Sequence, residues 1–348
     1  MNIAQLQYRL KIGGFPWLLK TALGVFKELC TPRTAEVAQT LGSNEVSGAL
    51  PSILYLHAGW AIESVGRLWL AGRTDCRPRF ASVHAKDLPA ICQREFNIVW
   101  FGYSSLASRI PIDPERAVIA VHDPVELFPE VASWKAKRSI SPAKRELLLR
   151  ARAVVVISQE MQDILAENGV LAHRLPTRST MPLRDLESVP ANCPASFLSV
   201  GRIYRRKNFE QFRRVSARAA SLGITSRLKC DHFPLSADDY RKLLDTFPIY
   251  VCTSFQEGGP LPLMDAMHRG AVPVSTPVGQ AKEIIHHGIN GFLCQTDEEF
   301  LDVLSNLAKD PAKLFSLRKN SLKSIADLRS PEAIGDAVTK FLQAMNIV

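Results

Sequence analysis

No apolar run in the 348-residue chain is long enough to cross a bilayer. The longest stretch without a charge, 46–62, is broken by Gly48, Pro51, His57 and Gly59. A secretory leader is not expected either. Arg9 and Lys11 precede an apolar patch at 15–19, but Lys20 and Lys27 interrupt it and no small-residue cleavage pattern appears, so the segment reads as mature protein. Cysteine is sparse. The seven are odd in number, scattered and never spaced Cys-x-x-Cys, which excludes a disulfide scaffold or zinc ribbon and suits a reducing compartment. Low-complexity tracts and internal repeats are absent. With 46% hydrophobic and 22% charged residues, disorder is excluded as well.

What the chain does have is positive charge: 43 Lys and Arg against 34 Asp and Glu, a net +9. The basic residues gather at Lys135, Lys137, Arg138, Lys144, Arg145, Arg150 and Arg152, and again at Arg202, Arg205, Arg206 and Lys207. Such clusters suit phosphates, acidic lipid surfaces or nucleic acid, and also occur as plain solvated faces.

Short apolar runs alternate with amphipathic stretches, the pattern of parallel sheets covered by helices. Strands are predicted at 97–103, 117–121 and 153–158; the last two are apolar almost throughout, as strands buried on both faces are. Ser141 and Pro142 open a helix to about 152, and another from 159 stops near Asn168-Gly169. Pro176, Pro182, Pro190 and Pro194 then break the rhythm. The expected organisation is an N-terminal domain at 1–175, a linker at 176–194, a C-terminal domain at 195–330 and a closing helix at 331–348 that packs back on the first domain. In the second half, strands are expected at 196–200, 249–253 and 271–275, with helices at 209–221, 260–269 and 298–307. Residues 30–95 give the least legible pattern. Two α/β domains predict a cleft between them, and ligands of open parallel sheets bind beyond the carboxyl ends of the strands.

Two strand ends carry chemistry. After 196–200 comes Gly201-Arg202-Ile203-Tyr204-Arg205-Arg206-Lys207. Gly201 permits close backbone approach, Arg202 can fork onto two phosphate oxygens, and Lys207 is a compact point charge. A departing diphosphate needs such cations, although a solvated basic loop has the same composition. After 249–253 comes Thr253-Ser254-Phe255-Gln256-Glu257-Gly258-Gly259-Pro260-Leu261, a carboxylate followed by glycines at a helix start, where free N–H groups favour anions. Asp265 lies eight residues after Glu257. Glu-Gly-Gly alone is an ordinary turn; both clusters in one domain and in this order are more specific.

The stretches SVGRIYRRKNF (199–209), TSFQEGGPLPLMDAMHRGAVPVSTPVGQAKEII (253–285) and HGINGFL (287–293) resemble the donor-binding half of family 4 glycosyltransferases. More weakly, 115–128 is similar to that family's strand-plus-His segment, and Lys11-Ile12-Gly13-Gly14 to its first Gly-Gly loop. The resemblance implies an α/β GT-B fold, two Rossmann-like domains facing across a cleft, and a retaining, metal-independent transfer from a nucleotide diphosphate-sugar with no cofactor. The absence of any Asp-x-Asp pair fits that expectation. It further implies that Arg202 and Lys207 bind the diphosphate beside Gly201. Glu257 would hold sugar hydroxyls, helped by the backbone of Gly258, Gly259, Pro260 and Leu261 through its available N–H groups, and Asp265, where the family has Glu, would hold the ribose. Gly13 and Gly14 would face the donor, and His122 would reach it from the opposite wall.

The acceptor expected is a glycan, lipid-linked or other hydroxyl, as in polysaccharide biosynthesis. The location expected is the cytoplasm, with the basic 135–152 stretch and the apolar-basic 15–29 stretch offering a peripheral seat on an anionic inner membrane face. Competing readings are a DNA base glucosyltransferase, for which aromatic-basic interleaving is missing, a nucleotide-sugar epimerase, and a catalytically silent sugar-nucleotide-binding subunit.

Overall fold

The computed structural model describes residues 50–57, 60–83, 96–108, 110, 112–128, 139–230 and 235–348. Gly13, Gly14, the 15–29 stretch and Lys135, Lys137 and Arg138 lie outside them. Strands β1 (Ser52–His57), β2 (Arg77–Ser82), β3 (Ile98–Phe101), β4 (Ala117–Val121), β5 (Ala153–Val156) and β6 (His173–Arg174) form a parallel sheet in the order β2-β1-β3-β4-β5-β6. Strands β7 (Ser196–Val200), β8 (Thr225–Lys229), β9 (Ile249–Cys252), β10 (Val272–Ser275) and β11 (Phe292–Leu293) form a second, ordered β11-β10-β9-β7-β8. In each sheet the first strand lies next to an edge, the second strand forms that edge, and the third crosses back. The order therefore reverses between β1 and β3 in one sheet and between β7 and β9 in the other. Loops leaving the carboxyl ends of strands on either side of such a reversal splay apart and leave a crevice.

The helices are α1 (Trp60–Leu70), α2 (Ser104–Ala107), α3 (Pro142–Arg150), α4 (Gln159–Glu167), α5 (Phe209–Ala220), α6 (Ala237–Thr246), α7 (Leu261–His268), α8 (Ala281–Ile284), α9 (Asp297–Lys309), α10 (Pro311–Leu328) and α11 (Pro331–Ala344). Their starts follow from capping chemistry. Ser141, Ser158 and Thr296 each accept a backbone N–H of the first turn, and Thr296 with Glu299 forms a full capping box. Among the described residues no helix is long and apolar enough to cross a membrane.

The middle of the first sheet is covered on both faces, which is why β3, β4 and β5 read as unbroken apolar runs. Leu54, Ile119, Val121, Val154 and Val156 enter one core cluster, while Ile53, Tyr55, Val118, Ala120 and Val155 enter another. Ile334, Val338, Phe341 and Leu342 of α11 belong to the second of these clusters. The described residues from Leu50 to Arg178 accordingly form one compact unit with Pro331–Val348, and Ser179–Ser330 belongs to another. The second sheet is sandwiched in the same manner, with Phe197, Val251 and Val274 on one side and Leu198, Tyr250 and Cys252 on the other.

The predicted strand at 97–103 ends earlier, at Phe101, because Gly102 and Tyr103 turn the chain into α2. Much of the basic cluster on and just after α3 is occupied within the fold. Arg145 donates to Asn168 O at 2.7 Å, Lys144 to Ser104 Oγ at 3.2 Å, and Arg152 to Met345 O at 2.7 Å.

Candidate functional site

The loops after β7 and β9 flank the reversal in the second sheet, and they are stapled together there. A 3-10 turn at Arg205–Lys207 runs into Asn208, whose left-handed backbone (φ 48°) starts α5. Asparagine tolerates that conformation better than most side chains. Phe255 N donates to Arg206 O at 2.7 Å, and Thr253 Oγ1 donates to Asn208 O at 3.0 Å. These bonds fix the backbone of the basic turn against the Glu257 loop.

Glu257 is 3% exposed, and both its oxygens are engaged. Lys207 Nζ lies 2.5 Å from Oε1, Ser254 Oγ donates to the same atom at 2.7 Å, and Arg206 Nη1 donates to Oε2 at 2.7 Å. Burial opposes ionisation most strongly, but the charges of Arg206 and Lys207 with the bonds from Lys207 and Ser254 outweigh it. The carboxyl is held well below the usual carboxylate range. Two cations on one anion leave a net positive centre, able to receive a further anion.

Lys207 is thus beside Glu257, as is Arg206, to which the sequence pattern assigns no separate role. The available signal is charge balance, since a buried carboxylate demands cations within reach. Lys207 also runs along Gly201: a Cβ built there would meet Phe209 at 3.3 Å and Lys207 Cε at 3.6 Å. Arg202 is exposed and makes no hydrogen bond or ion pair among the described residues. In the segment 258–261, Pro260 has no N–H and that of Leu261 goes to Gly259 O at 2.8 Å. The N–H groups of Gly258 and Gly259 are those left unbonded among the described residues.

The Gly258 carbonyl accepts from Gln280 N at 3.0 Å, and Gly279 (φ +46°) passes directly beneath. A Cβ at Gly279 would lie 2.3 Å from both Glu257 O and Gly258 O. Gly279→Ala is therefore expected to destabilise the fold by about 2 kcal/mol or more through strain and collision, measured by urea titration; an unchanged midpoint would show that the loop adapts.

Asp265 lies on α7 and is also occupied. Ser179 Oγ donates to Oδ1 at 2.5 Å and Tyr240 OH donates to Oδ2 at 2.9 Å. Burial pushes its pKa up to about 6, against the opposing pull of those two hydroxyls. Neither hydroxyl stands out in the sequence.

His122 belongs to the other unit, one residue beyond β4. It is 6% exposed, stacks on Trp69 at 5.6 Å between ring centres, and meets Tyr103 edge-on at 6.1 Å. Its backbone N donates to Glu126 Oε1 at 2.7 Å, and Glu126 Oε2 accepts from Ser104 N and Oγ. Neither ring nitrogen has a partner among the described residues. Burial lowers its pKa to about 4, so the imidazole is neutral at physiological pH. Among the described residues no group of three or more His, Cys, Asp or Glu is arranged to hold a metal ion.

Comparison with known proteins bears on the second unit and on the fold. Residues 183–310 match the model of the family described as Glycosyl transferases group 1. No curated protein matches. Among solved structures, Anabaena HepE in complex with UDP and glucose superposes with a TM-score of 0.62 at 16% identity, over 84% of this chain and 99% of that one. Sucrose-phosphate synthase from Thermosynechococcus elongatus gives 0.60 at 14% identity, over 85% and 99%. A point mutant of Staphylococcus aureus TarM gives 0.56 at 15% identity, over 72% of this chain and 55% of that one. The two parallel sheets thus have the GT-B fold of these structures, and residues 183–310 carry the match to the glycosyl transferases group 1 model.

Proposed function

We propose that the protein transfers a sugar from a nucleoside diphosphate-sugar to a hydroxyl of a glycan or lipid-linked acceptor, with retention at the anomeric carbon. The observation that carries this reading is the Lys207–Glu257–Arg206 cluster at the strand-order reversal of the group 1 domain. Cations fixed in advance by a buried carboxylate need no reorganisation when charge builds on the leaving diphosphate. Lys207 is assigned to the phosphates because its ammonium has donors beyond the one directed at Glu257. Arg202 is assigned with it because an exposed guanidinium, free of partners among the described residues, is open to a second phosphate oxygen. The N–H groups of Gly258 and Gly259 add uncharged donors at the start of α7.

Glu257 contributes by fixing the cations and through the remaining lone pairs of its carboxylate, which can accept from a sugar hydroxyl. Asp265 is the ribose contact on the resemblance; a nucleoside would have to join or displace the Ser179 and Tyr240 hydroxyls. His122 is assigned to the transferred sugar, again on the resemblance, and its neutral ring suits hydrogen bonding to a hydroxyl rather than charge stabilisation. Retention of configuration and metal-independent chemistry belong to the same proposal. UDP is the first nucleotide to test, because HepE was crystallised with UDP.

A thermal-shift screen against UDP, GDP, ADP and their sugar conjugates tests the reading. One base series is expected to raise the melting temperature, since a ligand at a hundred times its Kd stabilises by about 2.7 kcal/mol. No shift with any of them would overturn it. Sustained release of nucleoside diphosphate in the presence of conjugate then separates an enzyme from a silent binding subunit.

A further inference from the structure

Directly before Glu257 stands Gln256, a side chain that the cation cluster does not use. It is 1% exposed, and neither its amide oxygen nor its amide nitrogen has a hydrogen-bond partner among the described residues. Its backbone is pinned: Arg206 Nη1 donates to Gln256 O at 3.2 Å, and the preceding Phe255 N is tied to Arg206 O. The backbone that carries this side chain is therefore part of the staple that fixes the cations.

A buried amide with both ends unpaired is costly, and such groups in folded proteins are nearly always satisfied by something. The chemistry of the amide restricts what that something is. It offers two donors and an acceptor on one planar group. A phosphate at neutral pH has almost only acceptors and would leave the amide oxygen orphaned. A hydroxyl can give and accept at once, and a pair of neighbouring hydroxyls on a pyranose matches both ends of an amide. Position narrows the choice further, because Gln256 adjoins the residue held between Lys207 and Arg206, at the proposed phosphate end of the donor. With Glu257 assigned to a sugar hydroxyl, the group next to the phosphates on that side is the transferred sugar.

We propose that the Gln256 amide is a specificity-determining contact that reads hydroxyls of the transferred sugar. This role rests on the proposed donor site and adds a residue and a chemical group to it. A site built to hydrogen-bond a hydroxyl rejects a ligand lacking it, because its own polar atoms are then left unpaired.

Gln256→Leu tests it, with Gln256→Met as an unbranched companion should Leu disturb the fold. Without ligand, the variant is expected to melt at the same temperature as the wild type or higher, since an unpaired buried amide has been removed. Titration calorimetry with UDP, GDP and ADP, and with UDP-glucose, UDP-N-acetylglucosamine, GDP-mannose and ADP-glucose, should then show a split. Affinity for the free diphosphate stays within about twofold, while affinity for the conjugate falls by about tenfold or more, the scale of one lost hydrogen bond to a buried polar group. Equal losses for diphosphate and conjugate would mean that the amide reads the nucleoside, and would overturn the proposal. Unchanged binding of both would reduce Gln256 to a core residue holding water, with the same consequence. Wild-type protein that binds none of these compounds would overturn the donor site and the Gln256 contact with it.

Discussion

Replacing Lys207 with alanine is expected to lower turnover by about a hundredfold, the scale on which removing one preorganised donor from a developing negative charge acts. The fold should survive, because Glu257 keeps Arg206 and Ser254 as partners. A companion variant separates binding the phosphate from merely holding the carboxylate. In Glu257→Gln the cations lose their internal anion, so the site becomes more positive by one charge. Nucleoside diphosphate should bind at least as tightly to that variant as to the wild type, while turnover falls. Lys207→Ala should weaken diphosphate binding. If both variants weakened it equally, and the double variant no further, Lys207 would be acting only through Glu257. Calorimetric titration of the diphosphate, alongside steady-state rates, reads both quantities.

His122→Phe should move activity and acid stability in opposite directions. The imidazole titrates at about 4 in the fold, against 6.5 when unperturbed. A group held below its unfolded pKa contributes stability that is complete above about 6.5 and is lost as pH falls through 4, because the unfolded chain takes up the proton first. That shift corresponds to about 3 kcal/mol across the window. Phenylalanine keeps the stack on Trp69 and does not titrate. The variant should therefore gain on the wild type by up to that amount between pH 7 and pH 4 in denaturant titrations, while turnover drops by about tenfold or more at every pH. Glu126, which burial pushes up to about 7, contributes in the opposite sense, its share of stability fading as pH rises from 4.5 towards 7. It is present in both proteins and cancels in the comparison. A difference that stayed flat across the range would mean that His122 is solvated and already free to protonate.

Much of the second sheet is legible in the sequence because buried parallel strands announce themselves as short apolar runs, and β7, β9 and β10 each do. The first sheet is harder. β1 lies between Pro51 and an apolar helix, so its pattern merges with that of the helix, and β2 (Arg-Pro-Arg-Phe-Ala-Ser) carries two arginines and a proline on an edge. α10 does not stand out before folding, although Leu314, Leu317, Leu322 and Ile325 mark its buried stripe. At the site, the pairing of Lys207 with the Glu257 loop is a non-local contact that no spacing rule gives; the resemblance supplies it. Arg206, Ser254, Ser179 and Tyr240 are invisible for a related reason. Their roles are set by which polar atoms a buried carboxylate needs, and that demand appears only when the chain has folded.

Because α11 supplies Ile334, Val338, Phe341 and Leu342 to the layer beneath β1 and β3, the unit built on the first sheet is completed only when that late helix has been made. Until roughly 150 further residues have been made, on the order of ten to thirty seconds at ordinary elongation speeds, the aromatic surface around Tyr55 and Trp100 has no lid. The later-made sheet needs no such delay, so folding in the cell should begin downstream and finish upstream.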